Sequence, residues 1–197
     1  MPRLEQRLGF TRYEADEAYK RALDAYKKAD FDTAIDGMTA AIEALPRHAE
    51  YYAARGFLYF EDGEEDKART DYEEAIRLFK YEMLAHYGLG MIAYRRAQKG
   101  EDAALWEEAL KHFTTAYRID PNRPETLYYL ALVYYHKRDY PNAVRFMLNA
   151  QTAFDRTGDK RKVNADKWVR EFTRWVDRTR ELLNAAGTPT GAPQLPE

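Results

Sequence analysis

Site chemistry needs a nucleophile, a set of metal ligands or a paired acid and base, and this sequence is poor in all three. Cysteine and serine are both absent from its 197 residues, which removes thiolate chemistry, disulfides and every serine-nucleophile mechanism. The four histidines, His48, His86, His112 and His136, stand far apart, none with a ligating partner one helical turn away. The stretch YGLGMIAY (87–94) contains G-x-G but reads as mid-helix and lacks the further glycine of a phosphate loop. The acidic run EDGEED (61–66) lacks the alternating ligand spacing of a calcium loop. No catalytic residue, metal site or cofactor is expected, and the chain does not read as an enzyme.

What the sequence has in surplus is aromatic. Residues 125–144, ETLYYLALVYYHKRDYPNAV, carry Tyr128, Tyr129, Tyr134, Tyr135 and Tyr140. A core uses ring area but seldom so many phenol hydroxyls, which need partners when buried. Some of these rings are therefore candidates for binding. The composition, 45% hydrophobic and 32% charged with a net charge of −2, is that of a folded chain with no cationic excess for nucleic acid or an anionic membrane. The opening MPRLEQRLGF has no apolar signal core, and the longest apolar run, YYLALVYY, is too short to span a bilayer. A cytoplasmic location is expected.

The elements that position the rings come from internal repetition. Alanines recur at Ala34, Ala68, Ala109 and Ala143, and again seven residues later at Ala41, Ala75, Ala116 and Ala150. A bulky residue, Met38, Tyr72, Phe113 or Met147, stands between each pair. Each such segment follows a second helical stretch. Small residues recur in those leading stretches at Ala22, Gly56, Gly90 and Ala131, with aromatic Tyr59 and Tyr134 in two copies and prolines Pro46 and Pro121 closing two repeats.

A period of 34 residues, visible between Ala34 and Ala68 and between Ala109 and Ala143, resembles the tetratricopeptide repeat. The resemblance implies an all-α, right-handed α-solenoid of helix–turn–helix units with a C-terminal capping helix. The repeats are placed at 15–48, 49–82, 83–123 and 124–157, after an N-terminal arm (1–14). The third is seven residues longer than the period. Seven residues are about two helical turns, so each of its helices should gain one turn around Gly100, with Trp106 packing the longer hairpin. Residues 158–186 read as the capping helix and 187–197 as a Gly/Pro-rich tail. Trp168 and Trp175 lie in the capping helix's apolar arc and are the candidate dimer contact. Arg170, Arg174 and Arg178 would make a cationic stripe, but interleaved acids dilute it, so nucleic acid is not the expected partner.

The family resemblance also sorts the rings. In repeat four it points Leu127, Leu130, Ala131 and Tyr134 into the stack. The positions that line the concave groove are occupied by Tyr19, Leu23, Tyr26, Phe57, Phe60, Tyr87, Met91, Tyr94, Tyr128, Leu132 and Tyr135. Lys20, Lys27, Arg95 and His136 stand at the groove's edge, opposite Asp16, Glu50 and Glu125. If the groove is open, these side chains face water as a patch larger than a monomer ordinarily exposes. The expected function is a protein-interaction scaffold or adaptor that binds a protein or peptide segment with apolar anchors. The alternatives are homo-oligomerisation through the groove or the capping helix, and coverage of the groove by the arm, which carries Leu4, Leu8 and Phe10. Relatives that hold chaperone C-terminal tails use a lysine/asparagine clamp on the terminal carboxylate. The matching positions here are Tyr19, Leu23, Ala54, Leu84 and Gly88, so that clamp is absent.

Overall fold

A computed structural model describes residues 4–100, 102–156, 174, 177–182 and 184. The described residues are helix and turn, with no strand among them. The helices are α1 (Leu4–Tyr26), α2 (Phe31–Ala44), α3 (Ala49–Glu61), α4 (Glu65–Leu78), α5 (Met83–Gly100), α6 (Ala103–Ile119), α7 (Pro124–His136) and α8 (Tyr140–Arg156). The chain divides into two compact units, Met1–Ile92 and Ala93–Glu197.

In the first unit α1 pairs with α2 and α3 with α4, and α2 also packs on α3. In the second, α7 pairs with α8 and α6 packs on α7. The alanine pattern explains why these helices approach so closely. All eight repeating alanines are fully buried, and Met38, Tyr72, Phe113 and Met147 between them are at most 1% exposed. A methyl group lets two backbones near one another, and the bulky residue then fills the space this leaves.

The two hairpins of the first unit and the α7–α8 hairpin turn in the same way. The backbone N–H of Asp30, Glu64 and Asp139 donates to the carbonyl five residues back, on Ala25, Tyr59 and Tyr134, at 3.1, 2.8 and 2.9 Å. This is the Schellman closure, which places one residue per turn in the left-handed region. Those residues are Ala29 (φ 57°), Gly63 (φ 88°) and Arg138 (φ 60°). The next helix is then capped by a side chain where an aspartate is available: Asp30 accepts from the Thr33 amide at 3.1 Å, and Asp102 from the Ala104 amide at 2.8 Å.

Two features bear on the site. Helices α5 and α6 span 18 and 17 residues against 13 and 14 for α3 and α4, so the extra length of this stretch is taken up as added turns. Helix α1 runs unbroken from Leu4, so residues 4–14 are helical and continuous with the first repeat. A segment continuous with α1 cannot fold back over α1's own face. Of the expected capping helix, residues 177–182 are helical, with Thr179 buried. Trp168, Trp175, Arg170 and the tail lie outside the described residues.

Candidate functional site: an aromatic face in each unit

In the first unit α1 presents Asp16, Tyr19, Leu23 and Tyr26 at helical spacing. Leu23 and Tyr26 are each 36% exposed, and Tyr13 of the same helix is 63% exposed. Tyr26 meets Phe57 of α3 edge-on, with centroids 5.5 Å apart, and Phe31 at 6.2 Å. Tyr19 lies 5.4 Å from Tyr51, whose other neighbour is the stacked ring of His48 at 4.2 Å. The Tyr19 hydroxyl donates to Glu50 Oε1 at 3.3 Å, and the Tyr51 hydroxyl donates to Asp16 Oδ1 at 3.4 Å. Burial raises the pKa of both phenols, and the facing carboxylates raise it further. Tyr87 is half-buried, whereas Phe60 and Met91 are buried.

The edge lysines are neutralised on their own helix. Lys20 binds Glu17 and Lys27 binds Asp24, each at 2.9 Å. These pairs are exposed, so solvent screening leaves them little weight in stability. At the clamp position Gly88, an added Cβ would stand 2.1 Å from Tyr72 Cζ. The missing clamp is therefore more than a change of residue type: the Tyr72 ring occupies the space that any side chain at 88 would need.

In the second unit the rings behave differently. Tyr94 is 7% exposed. It contacts Trp106 at 5.5 Å and Tyr129 at 5.2 Å, both edge-on, and its hydroxyl accepts a hydrogen bond from Gln98 Nε2 at 2.9 Å. Burial drives its pKa far above the ordinary phenol value. Trp106 also stacks on His136, with centroids 4.2 Å apart, and burial lowers the His136 pKa. Tyr128 packs edge-on against Tyr129 at 5.1 Å, Tyr135 sits 5.9 Å from Tyr140, and Leu132 is half-buried. Lys137 forms an ion pair with Glu107.

The expectation that all eleven groove residues face water thus fails at Phe60, Met91 and Tyr94. Tyr94 is the clearest case, because the lengthened α5 and α6 bring Trp106 onto its ring. Trp106, which the seven-residue excess placed in the longer hairpin, and Tyr129, to which the repeat register gave no role, are the rings that hold Tyr94. Arg95 is half-buried, and His136 keeps an open edge beside its stacked face. Phe79 and Tyr81, 51% and 53% exposed at the α4–α5 turn, flank Lys80, which stands where repeats one and three carry a closing proline, and Lys80 Nζ lies 4.7 Å from the Tyr81 ring. Among the described residues no three His, Asp or Glu side chains converge as metal ligands would, and no helix is long and apolar enough to cross a membrane.

Hairpins of this geometry, stacked through buried alanines, define an all-α tetratricopeptide-repeat solenoid. The tetratricopeptide-repeat family model matches residues 19–82, 58–111 and 101–156, and the chain belongs to that family. It is 27% identical over 113 residues to anaphase-promoting complex subunit 3 of Schizosaccharomyces pombe, covering 57% of this chain and 16% of that protein. It is 30% identical over 121 residues to serine/threonine-protein phosphatase 5 of Rattus norvegicus, covering 61% and 23%. The chain thus spans less than a quarter of the length of either relative. Among solved structures, it resembles the first TPR of Spaghetti (RPAP3) bound to the HSP90 peptide SRMEEVD, with a TM-score of 0.56, 21% identity, and coverage of 62% of this chain and 94% of that one. At that identity the likeness speaks for the fold alone.

Proposed function

We propose that the protein is a non-catalytic interaction scaffold of the cytoplasm whose inner helix faces bind a partner segment through apolar anchors. The observation that carries this reading is the contrast within the first hairpin. The alanines of the stack are fully buried, while Leu23 and Tyr26, on the same helix, are each 36% exposed. Folding gains nothing from leaving the edges of two large apolar side chains in water, whereas binding does, because burying what remains exposed of each contributes about 1 kcal/mol before ordering costs. Tyrosine suits such a face, offering area and a hydrogen bond for little rotamer entropy. Membership of a family with a relative solved in a peptide complex supports the same reading.

Selection of displayed peptides on the full chain tests it. Enriched sequences are expected to share apolar anchors and to lose at least about tenfold in affinity on Leu23→Asp. Enriched peptides that bind Leu23→Asp as well as the parent would overturn it.

A further inference from the structure

The face of the first unit is apolar at one end and acidic at the other, and the acids are placed by the tyrosines. Asp16 and Glu50 come from different helices, yet Tyr51 and Tyr19, with rings 5.4 Å apart, hold one each. Both phenol–carboxylate bonds, at 3.4 and 3.3 Å, are long for O–H···O contacts, which cluster near 2.7–2.8 Å. A carboxylate has roughly four acceptor positions, so each keeps capacity for a stronger donor. Glu82 is a third acid nearby: its carboxyl is raised first by burial, and also by the charge of Glu50.

The cations around this end do not cancel it. Lys20 lies near Asp16 but is held by Glu17 at 2.9 Å, and Lys27 is held by Asp24. Arg12 of α1 acts on Tyr51 of α3, and His48 is stacked on that ring. Among the described residues neither Asp16 nor Glu50 forms an ion pair. Three carboxylates thus border a row of exposed (Leu23, Tyr26) and half-buried (Tyr19, Phe57) apolar side chains, with one guanidinium, Arg12, not tied to an acid of its own helix.

We infer that this face selects a cationic segment: a peptide whose apolar anchors lie on Tyr19, Leu23, Tyr26 and Phe57 and whose lysine or arginine sits between Asp16 and Glu50. The inference rests on the interaction reading above and adds the chemistry of the partner. A charge-assisted N–H···O bond is shorter and stronger than the phenol contact it supplements. The low-dielectric surroundings of the rings strengthen it further. An acidic segment would meet like charge, with no clamp lysine to receive it.

The test uses the full chain and three fluorescein-labelled synthetic peptides. They are identical in their leucine anchors and differ only in a central residue: lysine, glutamine or glutamate. Fluorescence anisotropy is expected to rank lysine tightest and glutamate weakest, with about tenfold between the extremes. Added salt should shrink that gap on the unmodified protein. Asp16→Asn with Glu50→Gln, which preserves side-chain shape, should bring the lysine peptide to the level of the glutamine peptide. Equal or reversed ranking, with the glutamine peptide still bound and lost on Leu23→Asp, would overturn the charge inference alone. Failure of all three peptides to bind would overturn the interaction reading with it. A concentration-dependent dimer that the double variant dissociates would assign the face to a second copy and defeat the proposed occupant.

Discussion

Arg55 of α3 grips both carboxylate oxygens of Asp71 on α4, Nε to Oδ2 at 2.7 Å and Nη2 to Oδ1 at 2.8 Å. The pair is nearly sealed, with side-chain exposures of 18% and 6%, and Arg55 Nη1 also donates to Thr39 of α2 at 3.1 Å. One guanidinium therefore ties three helices. Removing one partner strands a charge out of water, so Asp71→Ala should cost about 3–5 kcal/mol. Arg55→Met combined with Asp71→Leu should recover most of that loss, because no charge is then left alone. Urea denaturation of the three variants checks both outcomes.

Tyr94 belongs to the core of its unit. Tyr94→Ala should lose about 3–5 kcal/mol, as large aromatic deletions do. Tyr135→Ala, removing a half-buried ring, should lose less than about 2 kcal/mol. Tyr94→Phe isolates the Gln98 hydrogen bond and should cost about 1 kcal/mol. Thermal melts read the ranking directly, and equal melting temperatures for the two alanine variants would contradict it.

The hairpin turns store a small, removable strain. Ala29 and Arg138 adopt positive φ with a Cβ that disfavours it, whereas the equivalent Gly63 does so freely. Ala29→Gly and Arg138→Gly should each stabilise by about 0.5–1 kcal/mol. Gly63→Ala should destabilise by a similar amount through conformation alone, since nothing lies within 4 Å of its added Cβ. Chemical denaturation resolves differences of this size.

Tyr72 occupies space given up by two glycines. An added Cβ would lie 3.0 Å from its ring at Gly56 and 2.1 Å at Gly88. Overpacking of this kind costs about 1–3 kcal/mol or more. Gly88→Ala should fall at or above the top of that range and Gly56→Ala below it. Tyr72→Leu should rescue Gly88→Ala, and circular dichroism melts of the single and double variants test the coupling.

Alkaline pH should destabilise the protein from the range in which free tyrosine titrates. Burial raises the pKa of Tyr19, Tyr51, Tyr94 and Tyr134, so the folded state holds these phenol protons more tightly than the unfolded chain. Stability is then intact below about pH 10, where unfolded tyrosine titrates, and falls as pH rises from there through the folded values. Absorbance at alkaline pH should show Tyr94 ionising after Tyr19, Tyr51 and Tyr134. Tyr94→Phe should flatten the stability loss measured by denaturation across that window.

Two kinds of information met in this fold. The alanine series and the bulky residue inside each pair were legible along the chain, and all twelve positions are buried. A close helix crossing admits only a small side chain, and a fixed repeat length sets where each crossing falls. The surplus of rings was legible too, but their fate was not. Tyr26, Phe60, Tyr94 and Tyr135 share one repeat position, yet Tyr26 is 36% exposed, Phe60 and Tyr94 are 4% and 7%, and Tyr135 lies between. Register fixes the direction in which a side chain leaves its helix. Exposure depends on what the neighbouring helices bring up to it, and for Tyr94 that is Trp106 on a helix lengthened elsewhere in the sequence. The pairing of Asp16 with Tyr51 and of Glu50 with Tyr19 likewise crosses from one hairpin to the next, over more than thirty residues of chain. Only packing in three dimensions could place those acids beside those rings.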